Sequence, residues 1–340
     1  TLTESHQRDV VFWHIAVAIA GLLMGAVLGL LLALSGPGGL LGRLTFRVLA
    51  AHVTLMLGGW VTPMLTGVAY RLVGMFTLSE DQIHGPMAWA ELALTAGGAW
   101  LLAAAMLFDL GHVLTVGGAA AVLLGLCCFA GQLARLYRRR RRRTFDIHMP
   151  FIIVATASGL LALALILYGL ASGRPANDSI WRAAVWLVIA GWAETAIQGF
   201  LYKIGAFLTW LHRYAPLAGR RRVPKLEDLY GRRTALAGWA AWSVGVGTET
   251  LAILGGAALL AHLAGGALSL GLGAFLVNAV RMSKHWRAAE SAPPAARGPG
   301  QGSQRAAAQT AVTTGRAERP VLTNHPPERM AVMQAGILPE

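Results

Sequence analysis

Beside an ordinary soluble domain, this 340-residue chain is short of charge and of cysteine. Only 13% of its residues are Asp, Glu, Lys or Arg, against roughly a quarter in an ordinary soluble domain. The two cysteines, Cys127 and Cys128, are adjacent in an apolar run. That excludes a disulfide framework, a CxxC redox or zinc motif and a CxxCH site for covalent haem. The chain also lacks a Ser/His/Asp elbow, a phosphate-binding glycine loop and an HExxH motif, so no soluble hydrolase or nucleotide enzyme is written in it.

What is present is apolar. Hydrophobic residues make up 55% of the chain and the mean hydropathy is +0.54, the composition of a polytopic membrane protein. Runs of spanning length fall at 10–35, 47–73, 87–108, 113–136, 147–171, 181–211, 235–263 and 267–280. About 20 apolar residues cross 30 Å of hydrocarbon as a helix. The expectation is therefore an all-α fold of eight transmembrane helices. The formal charge of +13 concentrates in two short connections, 137–146 and 212–233, as the positive-inside rule requires of cytoplasmic loops. No aromatic-interleaved basic surface accompanies it, so nucleic acid is excluded as a partner. Orientation follows: both termini cytoplasmic, in a bacterial inner membrane. From 288 to 340 the composition turns to Ala, Pro, Gly, Arg, Gln and Thr without periodicity, which reads as a disordered cytoplasmic tail.

An internal duplication organises the spans. Gly59, Trp60, Gly67 and Tyr70 are matched by Gly191, Trp192, Gly199 and Tyr202, all at an offset of 132. One helix later ELALTAGGAWLLA, starting at Glu91, matches ETLAILGGAALLA, starting at Glu249, at an offset of 158. The reading is two tandem parallel four-helix repeats, residues 1–136 and 147–287, joined by the basic loop 137–146.

The residues able to carry chemistry are histidines and intramembrane carboxylates. Positions 52, 56, 59, 63, 67 and 70 share one helix face, which reads His, Met, Gly, Pro, Gly, Tyr. A histidine followed by glycines suits a haem slot, with an imidazole for the iron and no side chains where the macrocycle lies. The same stripe equally suits a glycine seam for close helix packing. By side, His52 pairs with His262 and His14 with His148 as two candidate bis-imidazole sites. Glu91, Glu194 and Glu249 lie well inside spans, where a carboxylate is costly unless it faces the bundle or a wet cavity. They are candidates for a proton or ion pathway, with Glu91 and Glu249 as repeat equivalents. Pro63 is expected to kink its helix.

The pattern AHxxLxxxGW-x6-G-x2-Y-x-L, held by His52, Leu55, Trp60, Gly67, Tyr70 and Leu72, resembles the haem-ligand helix of the haem–copper oxidase subunit I superfamily and its NnrS-type relatives. The resemblance covers the second helix well and the sixth partly. It implies a haem b site with His52 on the iron, and electron transfer or nitric-oxide-related metabolism within a membrane redox complex of further subunits. The chain departs from that pattern at Thr54, where relatives carry a second histidine, and at Ala184, where the second copy lacks the first. There is no His-His, His-x-His or His-x-x-x-Tyr, so no oxygen-reducing binuclear centre can be assembled. Two other classes stand beside this reading: a transporter or channel using the intramembrane carboxylates, and a structural subunit of a larger membrane complex.

Overall fold

Apolar runs bounded by Gly, Pro and charge fold as helices, because a backbone in hydrocarbon must satisfy its own hydrogen bonds. The computed structural model describes residues 9–35, 39, 41–141, 145–175, 177–219 and 222–288. The tail from 289 onward, and with it the expected disorder, lies outside the described residues, as does part of the arginine run. Eight long helices are described: α1 (Val10–Ser35), α2 (Gly42–Thr77), α3 (Gly85–Phe108), α4 (His112–Arg138), α5 (His148–Ala171), α6 (Ser179–Arg213), α7 (Arg232–Gly255) and α8 (Ala258–Ala288). Among the described residues there is no strand. All the helices but α7 are long and apolar enough to cross a membrane. Leu30, Leu34, Val244, Leu251, Leu259 and Leu270 are all more than half exposed, so the outer surface is hydrocarbon-like where a soluble protein would be charged. This is the build of a polytopic integral membrane protein.

The last two helices divide differently from the hydropathy reading. The break falls at Gly256, in the left-handed conformation with φ 65°, and not at 264–266. Glycine takes that conformation without a Cβ penalty and ends α7 there. The residues 264–266 lie inside α8.

α2 and α6 are not regular throughout. Each opens into a π-helical stretch, at Leu55–Val61 and at Leu187–Glu194, again 132 residues apart. Pro63 accounts for the first: it has no N–H to give and its ring crowds the carbonyl four residues back. Threonine hydroxyls add side-chain bonds to carbonyls of the wider turns. Thr62 Oγ1 donates to Leu57 O at 2.9 Å, and Thr195 Oγ1 donates to Ala190 O at 2.8 Å. Each threonine then accepts an indole N–H from a neighbouring helix: Trp192 Nε1 donates to Thr62 at 3.2 Å, and Trp242 Nε1 to Thr195 at 2.9 Å. The first of these bonds joins α2 to α6, and with it the first four helices to the last four.

Glycines set the closest approaches. A Cβ on Gly21 of α1 would stand 2.3 Å from Gly59 O of α2, and one on Gly67 would stand 2.5 Å from His14 Cβ. In α6 a Cβ on Gly191 would stand 2.6 Å from Ser158 Cβ, and one on Gly199 2.6 Å from Phe151 Cβ. The duplicated glycines thus seat α1 on α2 and α5 on α6, the close packing that small residues permit in membranes.

Candidate functional site: a buried His–Glu–Tyr cluster

The seam at Gly67 brings His14 of α1 against Tyr70 of α2, their rings edge-to-face with centroids 5.4 Å apart. On the far side, Gly125 of α4 lets α3 in so closely that a Cβ there would meet Thr95 N at 2.7 Å. Between these two close approaches sits Glu91. Its Oε2 lies 2.6 Å from His14 Nε2 and accepts from the Tyr70 hydroxyl at 3.2 Å. Thr95, one turn on, donates to the Glu91 backbone carbonyl at 2.8 Å and approaches Oε1 at 3.3 Å. His14, Glu91 and Thr95 are wholly buried and Tyr70 is 1% exposed.

The protons of this cluster can be counted. His14 Nδ1 is 2.7 Å from Val10 O, which only accepts, so Nδ1 carries a hydrogen. One further proton must lie between His14 Nε2 and Glu91 Oε2, since a bare imidazole lone pair facing a carboxylate oxygen at 2.6 Å would repel it. Whether that proton sits on nitrogen or oxygen, the pair as a whole is neutral, the state in which acid and base are least costly to bury. The cluster lies four to seven residues from the start of α1, the end of α2 and the start of α3, about 6–10 Å inside the helix ends.

In the last four helices the residues at the 132-residue offset have different partners. Tyr202, matching Tyr70, packs on Phe151 with ring centroids 5.7 Å apart, so Phe151 stands where the first half has His14. The Tyr202 hydroxyl accepts from Asn278 Nδ2 at 3.4 Å, and among the described residues it is bonded to no carboxylate. Lys203, next to it, is buried and pairs with Asp146 at the end of the basic loop, while its ammonium lies 4.1 Å from the centroid of the Phe76 ring. Burial alone would raise the Asp146 pKa, but the Lys203 hydrogen bond and charge outweigh it, helped by His148 and the Ile147 N–H, and hold the carboxyl below the usual range.

The other sequence candidates are scattered. His52 is half-buried and its Nδ1 is 2.8 Å from Gly25 O of α1. His262 is exposed on α8, bonded to Ala258 O of its own helix, so the expected His52–His262 pair is not assembled. His148 is buried at the start of α5, with Phe76 edge-on at 6.0 Å. Both nitrogens of His14 have partners, which removes it from a bis-imidazole pair with His148. Nor is the glycine stripe a slot: Gly59 and Gly67 are covered by Gly21 and His14 of α1. The residues expected to hold a haem b on His52 therefore do not fit one in this arrangement. Among the described residues no group of three or more His, Cys, Asp or Glu is placed to hold a metal ion.

The carboxylates also separate. Glu194 is half-buried in the π-helical stretch of α6. Glu91 is six residues past the start of α3, whereas Glu249 is six before the end of α7, half-buried. They do not hold equivalent positions. The helix starts, Gly85 and Arg232, align at an offset of 147, under which Gly98 matches Gly245. Both of those glycines are in close contact with the next helix, at Val122 N (2.8 Å) and Leu268 N (3.0 Å) respectively. The offset of 158 overshoots by 11 residues, which is three helical turns and about 16 Å along the axis. Such a slip preserves the helix face, which is why the false match reads so well.

Sequence reasoning named His14, Glu91 and Tyr70 separately and did not join them. Thr95, Asp146 and Lys203 went unnoticed as partners. The one available signal was Gly67, whose missing side chain marks where α1 comes closest. Compared with protein-family models, curated proteins and solved structures, the chain matches none.

Proposed function

We propose that the protein is an integral membrane protein that takes up and releases a proton at His14–Glu91–Tyr70, and that it couples this proton to a transport process across the bilayer. The observation that carries the reading is the 2.6 Å contact between the buried His14 Nε2 and Glu91 Oε2 on different helices. An acid and a base sharing one proton inside hydrocarbon are expensive to keep, and where they occur they mark proton relays. Of the readings open from the sequence, the carboxylate pathway is the one this geometry favours; Glu91 is its centre, and Glu194 and Glu249 are not joined to it.

The finer organisation belongs to the same proposal. The π-helical stretches and glycine seams at the 132-residue offset support two tandem four-helix halves with eight spans. The cluster lies at the same end of the bundle as the basic loop, since Arg141 pairs with Asp81 and its N–H bonds to Thr77 O at the end of α2. By the positive-inside rule that end is cytoplasmic, in a bacterial inner membrane. A cysteine placed at Arg140 should then be labelled by an impermeant reagent only after the membrane is permeabilised.

The proton reading is tested by infrared difference spectroscopy of protein in lipid while the bulk pH is stepped. The expected result is a carboxyl band that responds to pH and deuterium and is lost in Glu91→Gln. A spectrum identical in wild type and Glu91→Gln would reduce the cluster to a packing device.

A further inference from the structure

Away from the cluster, α2 to α6 line a partly open cavity of about 130 Å³ where the first four helices meet the last four. Its walls are apolar but for Thr54, whose hydroxyl donates to Met106 Sδ at 3.9 Å; Leu57 and Val122 come from the first four helices, Leu163 and Val188 from the last four, and the Trp192 indole lines it beside Thr62. The polar atoms of that last pair are already satisfied. Thr62 Oγ1 donates to Leu57 O and accepts from Trp192 Nε1, leaving no unpaired donor on the indole to recruit water. A cavity of this size and lining stays dry; one of about 150 Å³ lined by Leu, Ile and Phe binds benzene or xenon.

Three features make it more than a packing gap. Both π-helical stretches border it, through Leu57 and Gly58 from α2 and Val188 and Trp192 from α6, and such irregular turns concentrate at functional sites. Gly159 of α5 makes room for the indole, since a Cβ there would stand 3.3 Å from the Trp192 ring and 3.0 Å from Leu126. At the rim are Val53 and Val185, a pair at the 132-residue offset that is 38% and 47% exposed on the lipid-facing surface. Entry from the hydrocarbon phase past Val53 and Val185 therefore crosses mainly apolar side chains.

We infer that this chamber is a binding site for a small, uncharged, apolar molecule, of about benzene size or less, that arrives from the bilayer. Occupancy restores the dispersion contacts that the void forfeits, while the lining hydroxyls of Thr54 and Thr62 already donate to Met106 Sδ and Leu57 O. The site is independent of the proton reading, because none of its lining residues belongs to the cluster.

Xenon and benzene are the probes. Crystals of the unmodified protein under xenon pressure should show xenon between Leu163 and Trp192, and Val188→Phe, which fills the chamber, should lose it. In lipid nanodiscs benzene should raise the unfolding temperature of the wild type more than that of Val188→Phe, a comparison in which bilayer effects cancel. Absence of xenon from the wild-type chamber overturns the assignment even if Val188→Phe fails to fold. So do equal benzene shifts in the two proteins, or continuous density running past Val53 and Val185 into the chamber, which would mark an acyl chain.

Discussion

The indole of Trp192 donates to the hydroxyl of Thr62 at 3.2 Å, and that hydroxyl donates in turn to Leu57 O, five residues back in its own helix. One threonine thus adds a side-chain bond to the carbonyl that already accepts its own backbone N–H, and fastens α6 to α2. Thr62→Val should destabilise the fold by roughly 1–3 kcal/mol, the cost of a buried donor left without an acceptor. Thr62→Ser should stay near wild type. Thermal unfolding in a fixed detergent measures both, and a Val variant as stable as the Ser variant would refute the role.

Glu91 separates shape from proton. In Glu91→Gln the amide N–H can donate to a neutral His14 Nε2, but Oε2 is also the acceptor for Tyr70, whose hydroxyl then loses that partner, so its stability should fall between wild type and Glu91→Leu. Glu91→Leu leaves the Tyr70 hydroxyl and His14 Nε2 without a partner in hydrocarbon, at about 1–3 kcal/mol for each group. The proton-dependent infrared signal should vanish in both. Unfolding midpoints that rank Gln with Leu would show that the charge, not the hydrogen-bonding outline, stabilises the cluster.

The Asp146–Lys203 pair carries the acid dependence. Because the Asp146 pKa is held below its unfolded value of about 4, its contribution is fully present above that value and is lost as pH falls through the lower, folded pKa. Stability should therefore be flat through neutral pH on this account and decline only in stronger acid. Lys203→Met should cost roughly 3–5 kcal/mol at neutral pH by leaving a carboxylate buried and unpaired. In Asp146→Asn the part of the acid decline due to this pair should disappear from a pH series of unfolding midpoints.

Two glycines should respond oppositely to one methyl group. In Gly21→Ala the new carbon meets Gly59 O at 2.3 Å, a backbone atom that can move only if α1 and α2 part, so a loss of about 1–3 kcal/mol is expected. Nothing lies within 4 Å of a Cβ on Gly247 in mid-α7, and Gly247→Ala should be neutral or stabilising by roughly 0.5–1 kcal/mol. Parallel unfolding curves for the two variants decide it.

Much of the scaffold was legible in the chain. Hydropathy located the first six helices because spanning length is a one-dimensional property, but put the break between the last two at 264–266 and not at Gly256; the offset of 132 pointed to the glycines on which α1 and α5 rest. It also foreshadowed the paired π-helical stretches, though only Pro63 hinted that the backbone would be irregular there. The candidate site was legible only as separate residues. His14 was matched with His148 by side of the membrane, while its actual partner, Glu91, is 77 positions away on a helix that the spacing of histidines says nothing about.

The sequence by itself determined that this is a helical membrane protein, which faces of its helices could approach one another, and which buried groups would need partners. Periodicity reports the angle of a residue around its helix, so it is blind to slips of whole turns, and the match of Glu91 with Glu249 survived an 11-residue error for that reason. Depth, partner and vacancy were decided by the tertiary structure alone. Which carboxylate meets His14, which indole reaches Thr62 and where a chamber stays open all depend on how closely neighbouring helices pack, and that distance is set at points such as Gly67, Gly125 and Gly159 by contacts between segments far apart in the chain.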